Sequence, residues 1–265
     1  MTDPVTRSID QLVGAWRLLC GRGPRHVLAT GDGIEYAFSG LPVPFFNMAA
    51  LTGRDISAAT LAARGRDACA WAADKGVPWM FVVTHERVAP GVDAAAALAA
   101  CGLAPLLGMT GMEAQRIAPS ARLPDGLELS TPRHDADCAA VLAINSAAYE
   151  MDLAAAQPLL ADQTFWEGHF PVVGHAGGRP VATASVLMVD GIRYVALVAT
   201  EPGQQRRGFA DAAMRRALEA SAQVHGDVTT VLHATDAGRP VYARMGYTPT
   251  STQTVFLETK FLGGH

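Results

Sequence analysis

Short apolar runs and stretches with helical spacing alternate along residues 127–257, and this pattern predicts a mixed chain of strands and helices. The apolar runs predict strands at Leu127–Ser130, Pro171–His175, Pro180–Val189, Tyr194–Thr200, Thr229–His233 and Thr252–Leu257. The helical spacing predicts helices at Asp135–Tyr149, with its N-cap near His134 or Asp135, at Gly208–His225 and at Gly238–Met245. Asp190-Gly191 between two of the strands indicates a hairpin, because Asp-Gly favours the left-handed backbone that a type I′ two-residue turn requires.

The first half of the chain shows a similar order of elements. Its predicted elements are strands within His26–Phe38, a strand at Pro44–Leu51, a helix from Ser57 to about Asp74, a strand at Trp79–Thr84, a helix at Asp93–Ala100 and a strand at Met112–Ile117. The shared order of strand, helix, strand, helix and strand indicates a duplicated domain. The stretch Ala118–Gly126 contains Pro and Gly and is the best boundary, which gives predicted domains at 1–120 and 127–265.

Composition limits the class of protein. The chain has 265 residues, 49% of them hydrophobic and 17% charged, enough to bury a sizeable core. No run of about 18 residues is apolar throughout, so we expect no membrane span. The opening residues lack the cationic and apolar segments of a secretory signal. The four scattered cysteines include no C-x-x-C pair, so we expect a cytoplasmic protein without zinc or a disulfide framework.

The distribution of charge argues against a nucleic-acid partner. Residues 1–125 carry 11 Lys and Arg against 11 Asp and Glu, whereas residues 126–265 carry 10 against 14. The second half therefore accounts for the net charge of −4 of the whole chain. Neither half is the basic surface that nucleic-acid binding requires.

The segment Tyr194–Leu218 carries the candidate chemistry. An apolar strand runs into the turn Pro202-Gly203, and Gln205-x-x-Gly208-x-Ala210 then leads directly into a helix. A helix start leaves backbone N–H groups unpaired and carries a partial positive charge, so phosphate binds there when the backbone can be approached closely. The small residues of the motif leave room for that approach, and Arg206 and Arg207 add two cations.

Other phosphate-binding loops fit this segment poorly. A Walker loop requires Gly-Lys-Ser/Thr, and a dinucleotide-binding fold requires Gly-x-Gly-x-x-Gly directly after its strand; the segment has neither. The six-residue loop alone fits equally well a plain helix start with a solvated Arg-Arg pair. No Gly-x-Ser-x-Gly elbow supports serine hydrolase chemistry.

Two motifs together resemble those of the GNAT superfamily of N-acetyltransferases. The loop is similar to that superfamily's Gln/Arg-x-x-Gly-x-Gly/Ala, which lies between the fourth strand and the following helix. The segment Thr235–Tyr247 resembles its later signature, an aromatic residue four positions before Gly-Phe/Tyr. The resemblance covers roughly residues 127–257. It implies an α+β (mixed α/β) fold, with a mixed, mostly antiparallel sheet flanked by helices and two such domains in the chain.

The resemblance also implies a cofactor and roles for individual residues. The cofactor would be acetyl-CoA or a related acyl-CoA, without a metal. The residues that would bind it are Val198, Ala199, Thr200, Gln205, Arg206, Arg207, Gly208, Phe209, Ala210, Asp211 and Thr235. The strand residues would face the pantetheine arm and the loop would surround the pyrophosphate. Thr235 stands where the family often has an asparagine. Tyr242 would be the general acid that protonates the departing thiolate, with a half-buried packing role as the alternative.

The general base and the acceptor site are less defined. Tyr194 stands where some members of the superfamily have a glutamate, so the base stays open among Glu150, Glu167, Glu201, His169 and His175. The two histidines could share a strand face, but no carboxylate completes a metal site at a known spacing. The early helices of the family would place Tyr149, Glu150, Phe165 and Trp166 near the acceptor.

The first half lacks the cofactor loop, since Thr52-Gly-Arg-Asp-Ile-Ser57 follows its strand Pro44–Leu51. It reads as a degenerate copy, in which Asn47 holds a turn or faces a cleft, and we favour the turn. We therefore expect an acetyl-CoA-dependent N-acyltransferase that acts on an amine of a small molecule or peptide. A catalytically weak CoA-sensing or partner-binding module is the alternative. We expect neither nucleic acid nor membrane as a partner, and a homodimer is left open.

Overall fold

The computed structural model describes residues 2–119, 122–132 and 135–261. Its helices are α1 (Pro4–Cys20), α2 (Ala58–Ala73), α3 (Ala94–Ala99), α4 (Asp135–Tyr149), α5 (Gln157–Ala161), α6 (Phe209–His225) and α7 (Arg239–Arg244). Its strands are β1 (Val27–Gly31), β2 (Ile34–Phe38), β3 (Asn47–Leu51), β4 (Met80–Thr84), β5 (Leu103–Ala114), β6 (Leu127–Ser130), β7 (His169–Ala176), β8 (Arg179–Val189), β9 (Ile192–Thr200), β10 (Thr230–Ala234) and β11 (Thr248–Glu258). The predicted fold, a mixed and mostly antiparallel sheet flanked by helices, is confirmed.

Contacts divide the chain into two compact units that are not contiguous in sequence. The first contains residues up to Met112 together with His233–Arg239 and the residues from Pro249 onward. The second contains Glu113–Leu232 and Pro240–Thr248. The predicted domain limits at 1–120 and 127–265 stay a prediction, because compactness alone does not identify the segments that fold independently.

The first unit is built on strands in the order β1-β2-β3-β4-β11-β5. β3 and β4 are parallel, and β11 from the end of the chain pairs antiparallel with β4. Aromatic side chains fill the core, among them Trp79, Phe81 and Phe256. Helix α1 begins after Asp3, whose carboxylate accepts from the Thr6 N–H and caps the helix.

Asn47 at the start of β3 holds a turn, as predicted. Its side chain is fully buried. Its Oδ1 accepts from the Gly40 N–H at 3.1 Å, and its Nδ2 donates to the carbonyls of Leu41 and Val43 at 2.8 and 2.9 Å. The amide therefore satisfies backbone groups of the turn between β2 and β3 that would otherwise be buried without partners.

The second unit is built on strands in the order β10-β9-β8-β7-β6. β9 and β10 are parallel, and the remaining pairs are antiparallel. Helices α4 and α6 both pack on β8, where Thr183 contacts Asn145 of α4 and Met188 contacts Ser221 of α6. Because residues an odd number apart on a strand point to opposite faces, the two helices cover opposite faces of the sheet.

Local signals predict the second unit better than the first. The hairpin at Asp190-Gly191 is confirmed, with both residues at positive φ (48° and 77°). Helix α1 is absent from the prediction, although Asp3 and Pro4 are strong signals for a helix start. β5 begins at Leu103, whereas the predicted strand begins at Met112. The first half of β5 is not predicted as a strand because it is largely exposed and lacks an apolar alternation. The predicted strand from Pro44 begins only at Asn47, after a 3-10 turn.

β11 begins at Thr248 rather than Thr252. The short helix α5 lies in a stretch for which no element is predicted. His134, one of the two predicted N-cap positions of α4, lies outside the described residues.

Candidate functional site

Strand β9 forms the backbone of the candidate site. Its parallel register with β10 runs from Arg193 opposite Thr230 to Val195 opposite Leu232. Within the described strands that register ends at Val195, whereas β9 continues to Thr200 and stays paired with β8 on its other side. A strand edge that continues beyond its register with a neighbour can pair with another extended chain through main-chain hydrogen bonds.

A β-bulge interrupts β9 in this same stretch. Ser185 of β8 lies opposite Ala196, and Thr183 lies opposite Ala199, so two residues of β9 face one residue of β8. One of them, Leu197, has a φ of 53°, which is unusual for a residue with a branched side chain. The bulge therefore turns the backbone of β9 where it is no longer paired with β10.

Tyrosine side chains surround the bulged strand. The hydroxyl of Tyr149, on α4, donates to the Val198 carbonyl at 2.8 Å. Tyr242, on α7, is buried, and its ring centroid lies 6.1 Å from that of Tyr247. Tyr194 lies on β9 itself and is also buried. The structure thus brings the predicted Tyr242, Tyr149 and Val198 into one part of the second unit.

Burial governs the protonation of these tyrosines. Desolvation raises the pKa of Tyr242 and of Tyr194 far above the usual range, and neighbouring tyrosine hydroxyls raise both further. Desolvation also raises the pKa of Tyr149, although 43% of the residue is exposed, and its hydroxyl is bonded to the Val198 carbonyl. All three hydroxyls therefore keep their protons at neutral pH, which suits donation of a proton and excludes Tyr194 as a general base.

The chain leaves β9 through a 3-10 turn at Pro202–Gln204 and starts α6 at Gly208. Gly208 is the N-cap residue, with left-handed backbone (φ 79°, ψ 8°), and no side chain caps the helix. The first helical bond of this turn runs from the Ala212 N–H to the Gly208 carbonyl at 3.0 Å. The N–H groups of the preceding turn point away from the helix body, as at any helix start.

Charged residues flank this helix start. Arg206 is exposed and has a φ of 63°. Arg207 lies over the ring of Phe209, 4.6 Å from its centroid, and donates to the Gln204 side chain. Asp211 in the first turn is paired with Arg215 at 2.8 Å. The Asp211 carboxylate is thus neutralised within the helix, which leaves the loop with a net positive charge.

The other predicted cofactor residues lie in varied surroundings. Gln205 is exposed at the end of the 3-10 turn, and Ala199 and Thr200 pair with β8. Phe209 is 2% exposed and packs in the core with Leu127 and Val181, so only its backbone is available. Ala210 is half-buried. Thr235 belongs to the first unit, where its carbonyl accepts from the N–H groups of Gly238 and Arg239.

The predicted acceptor residues differ in accessibility. Glu150 is exposed directly after Tyr149 and has a φ of 51°. Phe165 is fully buried, and Trp166 is 7% exposed with its indole N–H donated to the Leu160 carbonyl at 2.8 Å. Both rings pack edge-on against the His169 ring. Phe165 and Trp166 therefore serve packing, and little of their surface is available to an acceptor.

A cavity of about 650 Å³ lies along α6 in the second unit, away from these residues. Its lining includes Arg193, Arg215 and Arg216, and no residue assigned above to the cofactor or the acceptor lines it within the described chain. Those arginines are paired with Asp227, Asp211 and Glu219 respectively. The candidate chemistry is therefore placed at the edge of β9 and the start of α6 rather than in this cavity.

No group of three or more His, Cys, Asp and Glu side chains among the described residues could hold a metal ion. No helix within the described part of the chain is both long and apolar enough to cross a membrane.

The bulged strand, the tight turn and the glycine at the helix start agree with the result of a family comparison. Residues 158–262 match the family described as an acetyltransferase (GNAT) domain. This stretch, which is less than half of the chain, is similar to a GNAT domain. GNAT domains use acetyl-CoA as a co-substrate, and the match supports acyl-CoA-dependent acyltransferase activity for this segment in general terms.

Solved structures extend the likeness to nearly the whole chain. A GCN5-related N-acetyltransferase from Kribbella flavida has 21% identity and a TM-score of 0.69, with 97% of this chain and 96% of that chain covered. A GCN5-related N-acetyltransferase-like protein from Streptococcus suis has 14% identity and a TM-score of 0.56, with 96% and 98% covered. A tandem GNAT protein from the clavulanic acid biosynthesis pathway has 14% identity and a TM-score of 0.53, with 95% and 94% covered. Identities this low show a shared fold only. A comparison with curated proteins finds no match.

Three residues in or beside the β9 bulge are not among the predicted site residues: Asn145, Thr183 and Leu197. Asn145 lies in the middle of α4, where Asn is an unfavourable helix residue, and that misfit is the signal that could have indicated its role.

Proposed function

We propose that this chain is an acetyl-CoA-dependent N-acyltransferase that transfers acetyl from the thioester to a primary amine of a small molecule or peptide. The observation that carries the proposal is the left-handed Gly208 at the uncapped start of α6, directly after the bulged and partly unpaired strand β9. That arrangement offers main-chain donors to an extended arm and to a pyrophosphate at adjacent places.

The residues present fit the proposed donor. Gly208 has no side chain at the point where the backbone would approach a phosphate, and Arg206 adds an exposed cation beside it. The edge of β9 from Val198 to Thr200 continues beyond its register with β10 and can accept the pantetheine arm as an added strand. Bound acetyl-CoA would supply an activated acyl group as a thioester.

In the proposed reaction the amine nitrogen forms a bond to the thioester carbonyl carbon, and the carbon–sulfur bond breaks. Main-chain N–H groups of the β9 bulge would stabilise the negative charge on the carbonyl oxygen. Tyr242 would donate its hydroxyl proton to the departing sulfur, and its raised pKa keeps that proton in place at neutral pH until then. The proton that the amine loses would leave through water to a base that stays open among Glu150, Glu167, Glu201, His169 and His175.

One observation favours the alternative of a CoA-sensing module. The family's glutamate position on this strand is occupied by Tyr194, which is buried and protonated. A protein that binds acetyl-CoA at this site but releases no thiol with any amine would be such a sensor. The first unit, which lacks the loop motif, would then be a degenerate GNAT copy in a tandem arrangement that shapes a partner site.

The experiment compares Tyr242→Phe with the wild type in thiol release from acetyl-CoA with a panel of primary amines, and in calorimetric binding of CoA. We expect turnover to fall about 100-fold or more, since general acid catalysis contributes at least that factor, with nearly unchanged CoA affinity. Tyr36→Phe is the matched control, because Tyr36 is buried against Trp71 in the first unit. Full turnover by Tyr242→Phe on a genuine acceptor would remove Tyr242 from the mechanism.

A further inference from the structure

A buried polar chain reaches from α4 through β8 to the bulge in β9. Nδ2 of Asn145 donates to Oγ1 of Thr183 at 3.0 Å, and that hydroxyl donates to the Leu197 carbonyl at 2.8 Å. Asn145 and Thr183 are only 2% and 1% exposed. Water cannot replace these partners easily, so the Leu197 carbonyl has its direction fixed by the side chains.

The same helix holds the next carbonyl along β9. Tyr149 lies one turn after Asn145 on α4, and its hydroxyl donates to the Val198 carbonyl at 2.8 Å. Residues four apart on a helix share a face, so Asn145 and Tyr149 approach β9 together. Both carbonyls of the bulge therefore accept from hydroxyl groups that α4 carries or supports.

The direction of these carbonyls determines the direction of two N–H groups. The described chain contains no cis peptide bond, and in a trans peptide the C=O and the following N–H point in opposite directions. The Leu197 carbonyl therefore sets the direction of the Val198 N–H, and the Val198 carbonyl sets that of the Ala199 N–H. The left-handed backbone of Leu197 is unfavourable for its side chain, so it persists only because the surroundings hold it.

We infer that Asn145, Thr183 and Tyr149 are positioning residues that aim the N–H groups of the β9 bulge at the carbonyl oxygen of a bound thioester. The inference rests on the proposed function, because it assigns these three residues to the same acyl site. They act through the peptide groups of Leu197 and Val198. If the three residues only stabilised the fold, their replacement would weaken the binding of every ligand of the site equally. If they orient the N–H groups, their replacement weakens the binding of the thioester more than that of a ligand without one.

The test compares the binding of acetyl-CoA and CoA to Thr183→Val, which keeps the shape of the side chain and removes its hydroxyl. CoA lacks the thioester carbonyl, so its affinity reports on the rest of the site. We expect the ratio of the acetyl-CoA Kd to the CoA Kd to rise about 3- to 10-fold, the size of one neutral hydrogen bond. Thr183→Ser keeps the hydroxyl and should restore the wild-type ratio.

Two further variants keep the test decisive if Thr183→Val fails to fold. Tyr149→Phe removes only the hydroxyl of a residue that is 43% exposed, and it should raise the same ratio in a folded protein. Ser221→Ala is the control, because it removes a buried hydroxyl from α6 on the opposite face of the sheet. The amide signal of Val198 in nuclear magnetic resonance should shift with acetyl-CoA but not with CoA, and should lose that difference in the variants.

The outcomes separate the inference from the proposed function. Folded variants with an unchanged Kd ratio, or with equal losses for both ligands, would overturn the positioning role while acetyl-CoA binding by the wild type stands. A wild type that binds neither acetyl-CoA nor CoA would refute the proposed function, and the positioning role would fall with it.

Discussion

Replacing Gly208 with alanine adds a single methyl group to the loop before α6 and tests whether that loop binds the pyrophosphate. Gly208 caps α6 with a φ of 79°, a backbone conformation that residues with a side chain rarely adopt. An added Cβ would lie 3.5 Å from Cγ of Pro124, an ordinary van der Waals distance. The free protein can therefore accommodate the methyl group, and the strain of the backbone is the main cost of the substitution.

The magnitudes of the two effects differ. Left-handed backbone costs a residue with a side chain about 1–2 kcal/mol, which lowers Tm by roughly 2–8 °C in a protein of this size. Phosphate binding at the same place relies on close approach to backbone N–H groups. Loss of one charge-assisted hydrogen bond, at about 1.5–3 kcal/mol, weakens CoA binding about 10- to 150-fold. We therefore expect a small change in stability and a large change in affinity.

The assay combines thermal unfolding with calorimetric titration of CoA. Gly191→Ala is the matched control, because Gly191 has a φ of 77° in the β8–β9 hairpin and its added Cβ would meet no atom within 4 Å. The control should lose similar stability and keep its CoA affinity. Unchanged affinity in folded Gly208→Ala would refute the assignment of the loop to the pyrophosphate.

Two predictions concern the first unit. Burial lowers the pKa of His233 from 6.5 to about 3, so between these pH values the unfolded chain binds a proton that the folded chain does not. The free energy of unfolding should therefore be highest above pH 6.5 and fall as the pH drops, by up to about 1.4 kcal/mol per pH unit. In chemical unfolding at several pH values, His233→Gln should show a smaller pH dependence than the wild type. Equal pH dependence in the two proteins would contradict the buried, neutral state of His233. Asn47→Ala should destabilise the protein by about 3 kcal/mol or more in urea unfolding, because several buried backbone groups lose their partner, and a loss below about 1 kcal/mol would contradict the assigned role.

Elements with local signals could be predicted from the sequence. The Asp190-Gly191 hairpin and helix α6 between Gly208 and Gly226 depend on residues that act on their own neighbourhood, and both are found where expected. The start of β5 at Leu103 could not be predicted, because its first half is exposed and its position is fixed by pairing with strands distant in sequence. The return of β11 to the first unit has the same cause.

In the candidate site, too, only the part that depends on neighbouring residues could be predicted from the sequence. The loop before α6 follows a contiguous motif, whereas the network around the bulge joins residues that are 38 and 14 positions apart. Asn145, Thr183 and Leu197 carry no common sequence pattern, and only the packing of α4 on β8 and β9 brings them together. The burial of Trp166 likewise depends on tertiary packing. The sequence therefore could not show that so little of the ring surface is available to an acceptor.

The central claim, that the start of α6 and the edge of β9 bind an acyl-CoA, is tested most directly by calorimetric titration of the purified protein with acetyl-CoA, CoA and ATP. We expect micromolar binding of acetyl-CoA and CoA, and no binding of ATP, because pairing of the pantetheine arm with β9 distinguishes the first two from a nucleotide alone. Absence of CoA binding by the folded protein would contradict the claim, and both motifs would then be structural features of the fold without the ligand.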